Sequence, residues 1–388
     1  MSVSLLIGRS RALTSDLGKK YRHILIHDDD ADDASLIALA KGLHTADSLD
    51  FVTSFVDRTQ VLANRIAAEL DLPVVIESKL VELTRDKWAT RRLLEQHALC
   101  YCRFSVASTK DELARAIDSV GLPCIVKPVA GEGSRNVRKL RSVEDVATFI
   151  AALEGPALDG KLLVEQFLEG DEYSVEAISI AGEHHVVAIT RKYKDDHNFV
   201  EYGHVVPAPL GENSREAIEQ YVRKVLTALG FYNSPSHSEV IVTAEGPRLV
   251  ETHTRIGGDR IGDLVQQVTG VDLYDLYARQ MAHLPMENLV SQTPQAKAAA
   301  VWYLLERSLE QQIVAEVRGV DEAERCPDVR QVGVLKKPGA RGGEINASAD
   351  RSAFVIAVGD DAEHAVAAAR NAAAKIRLFY RFDSGDTD

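Results

Sequence analysis

The chain has 388 residues, more than one hydrophobic core usually holds, so two or three domains are expected. Its net charge of −13 has the wrong sign for general attraction to nucleic acid or to anionic membranes. Hydrophobic residues make up 45% and charged residues 27%, and no apolar run is long enough to span a bilayer. Nucleic acid and membrane are therefore not expected as partners, and the composition is that of a globular protein.

The first eight residues include a short apolar stretch but lack the basic start and the cleavage site of an export signal. We therefore expect a first strand there and a cytoplasmic location. The four cysteines, Cys100, Cys102, Cys124 and Cys326, are too few for a disulfide framework. Cys100 and Cys102 lack the second ligand pair that a zinc site needs, so reduced structural thiols are expected.

Short apolar strands alternate with helical stretches in residues 1–83, which predicts a Rossmann-like domain with a parallel sheet. The predicted strands are 3–7, 23–27, 49–55 and 74–76, and a helix is predicted at 59–70. An acidic run at 28–33 ends the second strand, where such a sheet keeps its ligand-facing loops. A metal site is one interpretation of the run, and a solvated loop is the favoured one.

From residue 84 the pattern predicts a mixed α/β (α+β) arrangement. Helices are predicted at 85–97, 108–120, 214–229 and 362–378, and strands at 123–128, 162–167, 173–180, 185–190, 238–242 and 248–252. The glycine-containing segment 130–137 lies between two extended segments and is expected to be a mobile loop. We predict a central domain at 84–290 with a small lobe at about 108–190, and a C-terminal α+β domain at 291–388.

A predicted hairpin carries the residues most suggestive of chemistry. Its strands, 238–242 and 248–252, flank a turn, and antiparallel pairing places Glu239 opposite Glu251. Opposed side chains have Cβ atoms ~5 Å apart, and two carboxylates that close repel unless a cation lies between them. Hard oxygen ligands of this kind suit Mg²⁺. An exposed hairpin with two solvated acids is the alternative.

The residues that follow Glu251 favour the functional interpretation. Period-two alternation puts His253 and Arg255 on the face of Glu251 while the strand lasts. Gly257 and Gly258 come next, and glycines let a ligand approach the backbone closely.

Two lysines lie where a nearby anion would be stabilising. Lys87 falls in the first turn of its helix, where the helix dipole disfavours a cation, and Lys127 ends an apolar strand just before a proline. Each lysine alone is more often a surface residue. Together with the loop at 131–137 they form a set suited to a polyphosphate, with point charges, backbone donors and a lid.

This ordered series resembles the ATP-grasp superfamily of carboxylate–amine ligases, from Lys87 to Arg255. The resemblance implies ATP and Mg²⁺, with Mn²⁺ as the alternative ion. It implies that Lys87 and Lys127 hold phosphates, and that a loop with Gly131, Gly133 and Ser134 closes over them. The metal ligands by this resemblance are Glu239 and Glu251, and Arg255 steadies the acyl-phosphate, so the residues assigned to catalysis are Arg255, Lys127 and Glu251.

The same resemblance implies positions for the nucleoside and the substrates. Adenine is expected against the hinge, and the ribose hydroxyls at Glu172; the hinge residues are Glu165, Gln166, Phe167 and Leu168. Within the superfamily the chain resembles the L-amino-acid ligases that make dipeptides in antibiotic biosynthesis. By that resemblance Glu201 and His204 contact the amino-acid substrates, together with Arg255, Gly257 and Gly258; an ordinary loop histidine is the alternative for His204.

One residue departs from the superfamily pattern. His253 stands where those enzymes usually have asparagine, two positions after the second metal glutamate. A neutral imidazole can ligate a metal, and His253 outside the metal shell is equally open.

The resemblance implies a C–N ligase that joins a small carboxylate and a small amine through an acyl-phosphate and releases ADP and phosphate. Carboxylation, ligation of a carboxylate that is not an amino acid, and a catalytically silent nucleotide-binding protein remain alternatives. A zinc hydrolase using His237, Glu239 and His253 is a weaker alternative, since paired glutamates suit a harder ion. A homodimer is the default assembly, because dimers are the commonest oligomers.

Overall fold

A computed structural model describes residues 2–14, 21–131, 133, 136–153, 155, 157–196, 198–286, 289 and 293–382. Ser134, which was assigned to the phosphate-binding loop, lies outside the described residues. The chain divides into two compact units, Met1–Val81 and Glu82–Asp388. No helix within the described ranges is long and apolar enough to cross a membrane.

The first unit contains the predicted parallel pair of strands. Strands β1 and β2 pair from Ser4–His23 to Gly8–His27, which confirms the parallel arrangement. The elements of this part of the chain are β1 (Ser4–Gly8), α1 (Arg9–Thr14), β2 (His23–His27), α2 (Asp33–Ala46), α3 (Asp57–Glu69) and α4 (Ser78–Arg85).

The strands predicted at 49–55 and 74–76 are wrong, because both segments are irregular. Leu49 and Val52 pack on a core formed by Ala40, Ile66 and Leu70 without joining a sheet. In the second segment the side-chain amide of Asn64 donates to the carbonyl of Ile76 at 2.6 Å. These short apolar runs are packed against the core without strand pairing. Hydrophobic periodicity does not distinguish such a run from a buried strand.

The acidic run after β2 has structural partners. Asp32 caps α2 by accepting from the Ser35 amide at 2.8 Å, and Asp28 pairs with Arg9 at 2.8 Å. These contacts agree with the favoured loop interpretation.

The second unit begins with the end of α4, a further helix and a small antiparallel sheet. Asp86 accepts from the Ala89 amide at 2.9 Å and caps α5, so the helix predicted at 85–97 is confirmed with its ends at Lys87 and Gln96. The four-stranded sheet has the order β3-β6-β4-β5, and helix α6 packs against β3 and β6. These elements are α5 (Lys87–Gln96), β3 (Phe104–Thr109), α6 (Lys110–Val120), β4 (Cys124–Pro128), β5 (Arg138–Leu140), α7 (Val143–Ala152) and β6 (Ala157–Gln166).

An eight-stranded sheet, ordered β11-β10-β7-β8-β9-β12-β15-β14, forms the rest of the framework. Strands β13 and β16 form a separate two-stranded sheet. The elements of this part of the chain are β7 (Asp171–Ile180), β8 (Glu183–Lys194), β9 (Glu201–Val206), α8 (Glu212–Leu229), β10 (Ser234–Thr243), β11 (Gly246–His253), α9 (Ile261–Thr269), α10 (Leu273–Met281), β12 (Ala298–Leu304), β13 (Gln312–Arg318), α11 (Val320–Glu324), β14 (Val329–Val334), β15 (Ala353–Gly359), α12 (Ala362–Ala373) and β16 (Arg377–Phe382). Strands β7 and β8, which the sequence assigned to a small lobe at about 108–190, belong to this large sheet. Strands from the C-terminal part continue it, so residues 82–388 form one unit.

The last predicted helix, 362–378, is shorter than expected. It ends at Ala373, and the chain forms strand β16, which pairs antiparallel with β13. Leu378 is buried while Phe379 is largely exposed, the alternation of a half-buried strand. The residues after Ala374 include the good helix formers Lys375, Arg377 and Leu378, so pairing of β16 with β13 overrides local helix propensity here.

Candidate active site

A cleft in the second unit collects most of the predicted site residues. The small sheet contributes one wall and the strands β7 to β11 contribute another. The predicted residues that line it are Lys87, Lys127, Gly131, Gly133, Glu165, Gln166, Phe167, Leu168, Glu172, Glu201, Glu239 and Glu251. Apolar side chains such as Ile125 and Ile241 also line the cleft, together with two cations that were not predicted, Arg91 and Lys194. A third cation that was not predicted, Lys192, contacts the cleft residue Glu239.

The hairpin places the two candidate metal ligands as predicted. Strands β10 and β11 pair Glu239 with Glu251, and the register shifts only after this pair, between Glu239 and Val240. Burial disfavours both carboxylates in their charged form, but Lys192 beside Glu239 and Lys87 beside Glu251 outweigh it and hold the pKa of each below the usual range. Two ionised carboxylates therefore face one another at the cleft.

Lys87 joins the hairpin to the glycine-containing loop. Its Nζ lies 2.9 Å from Glu251 Oε2 and donates to the Gly131 carbonyl at 3.0 Å. Burial disfavours its ammonium, but Glu251 more than offsets that, so the pKa of Lys87 is raised. The lysine is thus a fixed cation that an incoming polyphosphate can share with Glu251.

Glu165 is a buried carboxylate that pairs with two cations. Lys127 Nζ lies 2.5 Å from one carboxylate oxygen, and Arg91 Nε lies 2.5 Å from the other. Arg91 also donates to the carbonyl of Val250, the residue before Glu251. These contacts therefore connect helix α5, the small sheet and strand β11 at the cleft.

The Glu165 pair predicts a specific acid sensitivity. Burial opposes the Glu165 charge, but Arg91 and then Lys127 outweigh it and lower the pKa of Glu165 to about 2. Because the folded-state pKa is depressed, the stabilisation is present above the unfolded value of about 4.3 and is lost as the pH falls toward 2. We expect Glu165→Gln to reduce the free energy of unfolding near neutrality, and this difference from wild type to shrink toward low pH.

Urea unfolding between about pH 6 and about pH 3 measures this difference. Glu95→Gln is the matched control, because that side chain is 60% exposed and lies on the same helix as Arg91. A Glu165→Gln deficit that does not change across this range would contradict the assignment.

Lys192 links three glutamates on one face of the large sheet. Its Nζ lies 2.6 Å from Glu239, 2.7 Å from Glu201 and 3.0 Å from Glu172. Burial disfavours the ammonium, but the three carboxylates outweigh it and hold the pKa of Lys192 well above its ordinary value. Lys194 also contacts Glu172. The ribose, metal and substrate acids implied by the resemblance are therefore tied to one cation.

Glu201 and His204 share a face although they are three residues apart. Strand β9 pairs Glu201 with Lys194 and His204 with Lys192, with a register shift between the two pairs. His204 Nε2 lies 3.2 Å from Asp259 Oδ2, and Arg351 binds both oxygens of Asp259, at 2.7 and 2.5 Å. Arg351 also donates to the Glu201 carbonyl at 3.3 Å. A residue close to the C-terminus thus completes the surroundings of the predicted substrate residues.

His237, on strand β10 of the hairpin, bridges two acids. Its Nδ1 lies 2.7 Å from Glu176, and its Nε2 lies 3.3 Å from Glu239. Burial disfavours an imidazolium, but Glu176 and Glu239 outweigh it and raise the pKa of His237 to about 10. A charged imidazole has no lone pair for a metal, which disfavours the zinc-hydrolase alternative.

Gly257 closes this buried arrangement. Its amide donates to Glu176 at 3.2 Å, and a Cβ at this position would lie 2.8 Å from Glu176 Oε2 and 2.8 Å from His237 Nδ1. We expect Gly257→Ala to destabilise the protein by about 1–3 kcal/mol, because a buried ion pair must move. Gly258→Ala is the matched control, since a Cβ there meets nothing within 4 Å.

Denaturant unfolding of the two variants measures this difference. Equal midpoints for Gly257→Ala and Gly258→Ala would contradict the assignment of close packing to Gly257.

The structure places the remaining predicted residues beside the cleft. His253 Nε2 lies 3.2 Å from Glu251 Oε1, and the His253 ring stacks on that of His237 with centroids 6.1 Å apart. Arg255 follows the end of β11 and donates to the carbonyl of Ile256 at 3.2 Å. Gly258 lies next to Asp259, the partner of Arg351.

The donor set fits Mg²⁺. Glu239 and Glu251 provide ionised oxygens from adjacent strands, both facing the cleft, and Mg²⁺ takes one or two carboxylates together with phosphate oxygens. Glu201 belongs to a further group of acids with Glu172 and Glu239 whose oxygens lie within 4.8 Å of one another. Lys192 contacts all three acids of that group but only Glu239 of the opposed pair, and Glu251 contacts Lys87, so we take Glu239 and Glu251 as the candidate metal ligands.

Two family models match the chain. Residues 120–263 match the ATP-grasp domain, and residues 312–381 match L-amino acid ligase C-terminal domain 2. The first range contains the cleft residues from Lys127 to Glu251, and the second contains Arg351.

Curated relatives cover several activities. A protein of Sinorhizobium fredii, the uncharacterized y4rH, is 27% identical over 79% of this chain and 63% of its own length, so the match covers less than two thirds of it. Formate-dependent phosphoribosylglycinamide formyltransferase of Vibrio cholerae is 26% identical over 74% of this chain and 72% of the relative. Alanine–anticapsin ligase of Bacillus subtilis is 24% identical over 50% and 46%.

Solved structures share the fold over almost the whole chain. L-amino acid ligase from Bacillus licheniformis superposes with a TM-score of 0.81 at 21% identity, covering 98% of this chain and 99% of that one. N5-carboxyaminoimidazole ribonucleotide synthetase from Thermotoga maritima gives 0.72 at 16% identity, covering 97% and 99%.

The chain therefore contains an ATP-grasp domain, the domain of a class of ligases that form C–N bonds with ATP. Within that class it carries the second C-terminal domain of the L-amino acid ligases, which confirms the family resemblance drawn from the sequence.

Proposed function

We propose that this enzyme joins two amino acids, or an amino acid and a related acid, with ATP, releasing ADP and phosphate. The observation that carries the proposal is the contact of Arg351 with Asp259 and Glu201. Arg351 belongs to the region that matches the L-amino acid ligase C-terminal domain, and its partners flank the acids that face the cleft. This contact supports a substrate pocket to which the part of the chain similar to L-amino acid ligases contributes.

The residues of the chain support a two-step reaction. A substrate carboxylate attacks the γ-phosphate of ATP, and an amine then displaces phosphate from the acyl-phosphate. Lys87 and Lys127 are held as cations that can pair with phosphate oxygens, and their present partners keep them in place before ATP arrives. Arg255, just beyond β11, is the proposed cation for the acyl-phosphate.

A divalent ion held by Glu239 and Glu251 would neutralise phosphate charge; Mg²⁺ is proposed, with Mn²⁺ as an alternative because it takes similar oxygen ligands. The loop with Gly131 and Gly133 is proposed to cover the phosphates and exclude water.

On the substrate side, Glu201 offers a carboxylate for an ammonium group. Burial raises the pKa of Glu201, and the charge of Lys192 partly offsets that rise. The ammonium group of a substrate could replace Lys192 as the partner of this carboxylate. His204 and Asp259 lie on the same side and can bind a second polar group. The protein is proposed to act in natural-product biosynthesis, in the cytoplasm and as a homodimer.

A second candidate is ligation of formate, bicarbonate or another carboxylate that is not an amino acid. The match to the formyltransferase over 74% of this chain favours it. Both candidates use the same phosphate and metal residues, and the coupled product distinguishes them.

The test is a screen for ADP and phosphate release with amino acids singly and in pairs, and with formate or bicarbonate plus an amine. Mass spectrometry identifies each product. We expect a dipeptide from at least one pair. Turnover only with formate or bicarbonate would support the second candidate, and ATP binding without ADP formation in every arm would support a silent nucleotide-binding protein.

A further inference from the structure

A pair of cysteines lies in a short segment behind the nucleotide cleft. The segment, residues 99–103, connects α5 to β3 and is fixed at both ends. Tyr221 donates its hydroxyl to the Leu99 carbonyl at 3.0 Å and accepts from the Leu249 amide at 3.1 Å. At the other end the Gln166 amide donates to the Arg103 carbonyl at 2.9 Å. Movement of this segment therefore reaches both the hinge and strand β11.

The two thiols are close enough to react with each other. The sulfur atoms of Cys100 and Cys102 are 3.9 Å apart, and both residues are partly exposed. A disulfide needs an S–S distance of about 2.05 Å, so closing the bridge requires a local movement of about 2 Å. Cys124, by contrast, is fully buried.

Charge favours the thiolate at Cys100, whereas the hydrogen bond to Cys100 and burial raise the pKa of Cys102 while Cys100 is a free thiolate. The thiol of Cys102 donates to Cys100, burial opposes the charge, and Arg91 adds a nearby cation; together they lower the pKa of Cys100 to about 7. Burial instead raises the pKa of the Cys124 thiol to about 11. Cys100 is thus a nucleophile near neutral pH, and Cys102 lies within its reach.

We propose that Cys100 and Cys102 are a modification site that closes to an intramolecular disulfide and weakens ATP binding. The oxidant is a low-molecular-weight disulfide. The Cys100 thiolate attacks one sulfur of that disulfide, a mixed disulfide forms, and one small thiolate leaves. Cys102 then loses its proton to solvent and attacks the Cys100 sulfur, and a second small thiolate leaves. The protein loses two electrons and two protons, and the small disulfide becomes two thiols.

Arg91 transmits the change to the nucleotide cleft. Its guanidinium binds Glu165, which in turn holds Lys127, and it also donates to Val250 beside Glu251. A neutral bridge removes the negative charge of the Cys100 thiolate near Arg91 and pulls on the segment that anchors Gln166. Both effects shift residues that line the cleft. The proposal rests on ATP binding at this cleft and is independent of the product formed.

The experiment exposes the full-length reduced enzyme to oxidised glutathione. Intact-mass spectrometry and peptide mapping follow the bridge, and calorimetry measures the Kd for ATP with Mg²⁺. We expect loss of two hydrogen atoms, mapped to the Cys100–Cys102 peptide, and a rise in Kd of about fivefold or more. Dithiothreitol is expected to reverse both.

Three variants sharpen the result. Cys102→Ser keeps the Cys100 thiolate and is expected to bind ATP like the reduced wild type. Neither Cys102→Ser nor Cys100→Ser is expected to form an intramolecular bridge on oxidation. Cys326→Ser is expected to form the bridge, since Cys326 lies elsewhere and donates to the Glu322 carbonyl. A wild type that forms no bridge, or a bridged protein with an unchanged Kd, would overturn the proposal. Because binding is measured directly, failure to find a dipeptide product leaves this test intact.

Discussion

Glu251→Gln is expected to reduce ATP-dependent product formation by on the order of 100-fold or more, while the protein remains folded. Glu251 is one of two opposed carboxylates on β10 and β11, and its other oxygen contacts are Lys87 and His253. An amide has the same shape but no charge, so it is a poor ligand for Mg²⁺ and no longer pairs with Lys87. We expect the dependence of activity on Mg²⁺ concentration to move to higher concentrations.

Coupled ADP release at several Mg²⁺ concentrations measures the effect, using any amine and carboxylate pair that the screen identifies. Glu245→Gln is the control on the same hairpin: its side chain is 83% exposed and pairs with Arg248 away from the cleft. We expect that variant to turn over like wild type. Near wild-type turnover of Glu251→Gln at low Mg²⁺ would remove Glu251 from the metal site and leave the fold assignment untouched.

The hairpin was predictable because its signal is local. Two short strands and a tight turn predict an antiparallel pair, but the turn pairs Thr243 with Gly246, and counting from there places Glu239 opposite Val250. A β-bulge between Glu239 and Val240 makes Glu251 the partner of Glu239, as predicted. Local patterns also indicated the parallel arrangement of β1 and β2 and the position of Lys127 near the end of β4. Each of these features depends on a run of fewer than about ten residues, over which periodicity is informative.

The missing cations show where such reasoning fails. Arg91 lies one helical turn after Lys87, so i,i+4 spacing could have indicated it. Lys192 and Lys194 alternate along β8, but the strand predicted at 185–190 stops before both. Charged side chains at the end of an apolar strand indicate a loop when only hydrophobicity is counted. Here the charges are buried and paired with acids on neighbouring strands, and only the folded sheet reveals that.

Contacts between distant residues have no local signal at all. Asp259 and Arg351 are separated by 92 positions, yet Arg351 binds both oxygens of Asp259. The C-terminal part of the chain continues the large sheet through β12, β15 and β14, which brings Arg351 to the site. Sequence periodicity predicted strands and helices there, but the order of strands in a sheet depends on non-local packing.

Lys192→Met is expected to lower the free energy of unfolding by about 3–5 kcal/mol, because it leaves buried carboxylates without their shared cation. Glu172, Glu201 and Glu239 each lie within 3.0 Å of the Lys192 ammonium, and its side chain is 2% exposed. Methionine fills a similar volume, so the loss comes mainly from charge. Without the cation the pKa values of Glu201 and Glu239 rise, because the charge of Lys192 lowers both.

Urea unfolding of Lys192→Met, and of the same variant with Glu201→Gln added, separates charge from packing. Removing one unpaired carboxylate should restore part of the lost stability, since the repulsion among the acids falls. Lys297→Met is the surface control: Lys297 pairs with Asp360, both side chains are more than 70% exposed, and a change of at most about 1 kcal/mol is expected. Two results would contradict this prediction: Lys192→Met as stable as Lys297→Met, or further destabilisation of Lys192→Met by Glu201→Gln. In either case the three acids would not depend on Lys192, and the proposed role of Lys192 in ordering them would be wrong.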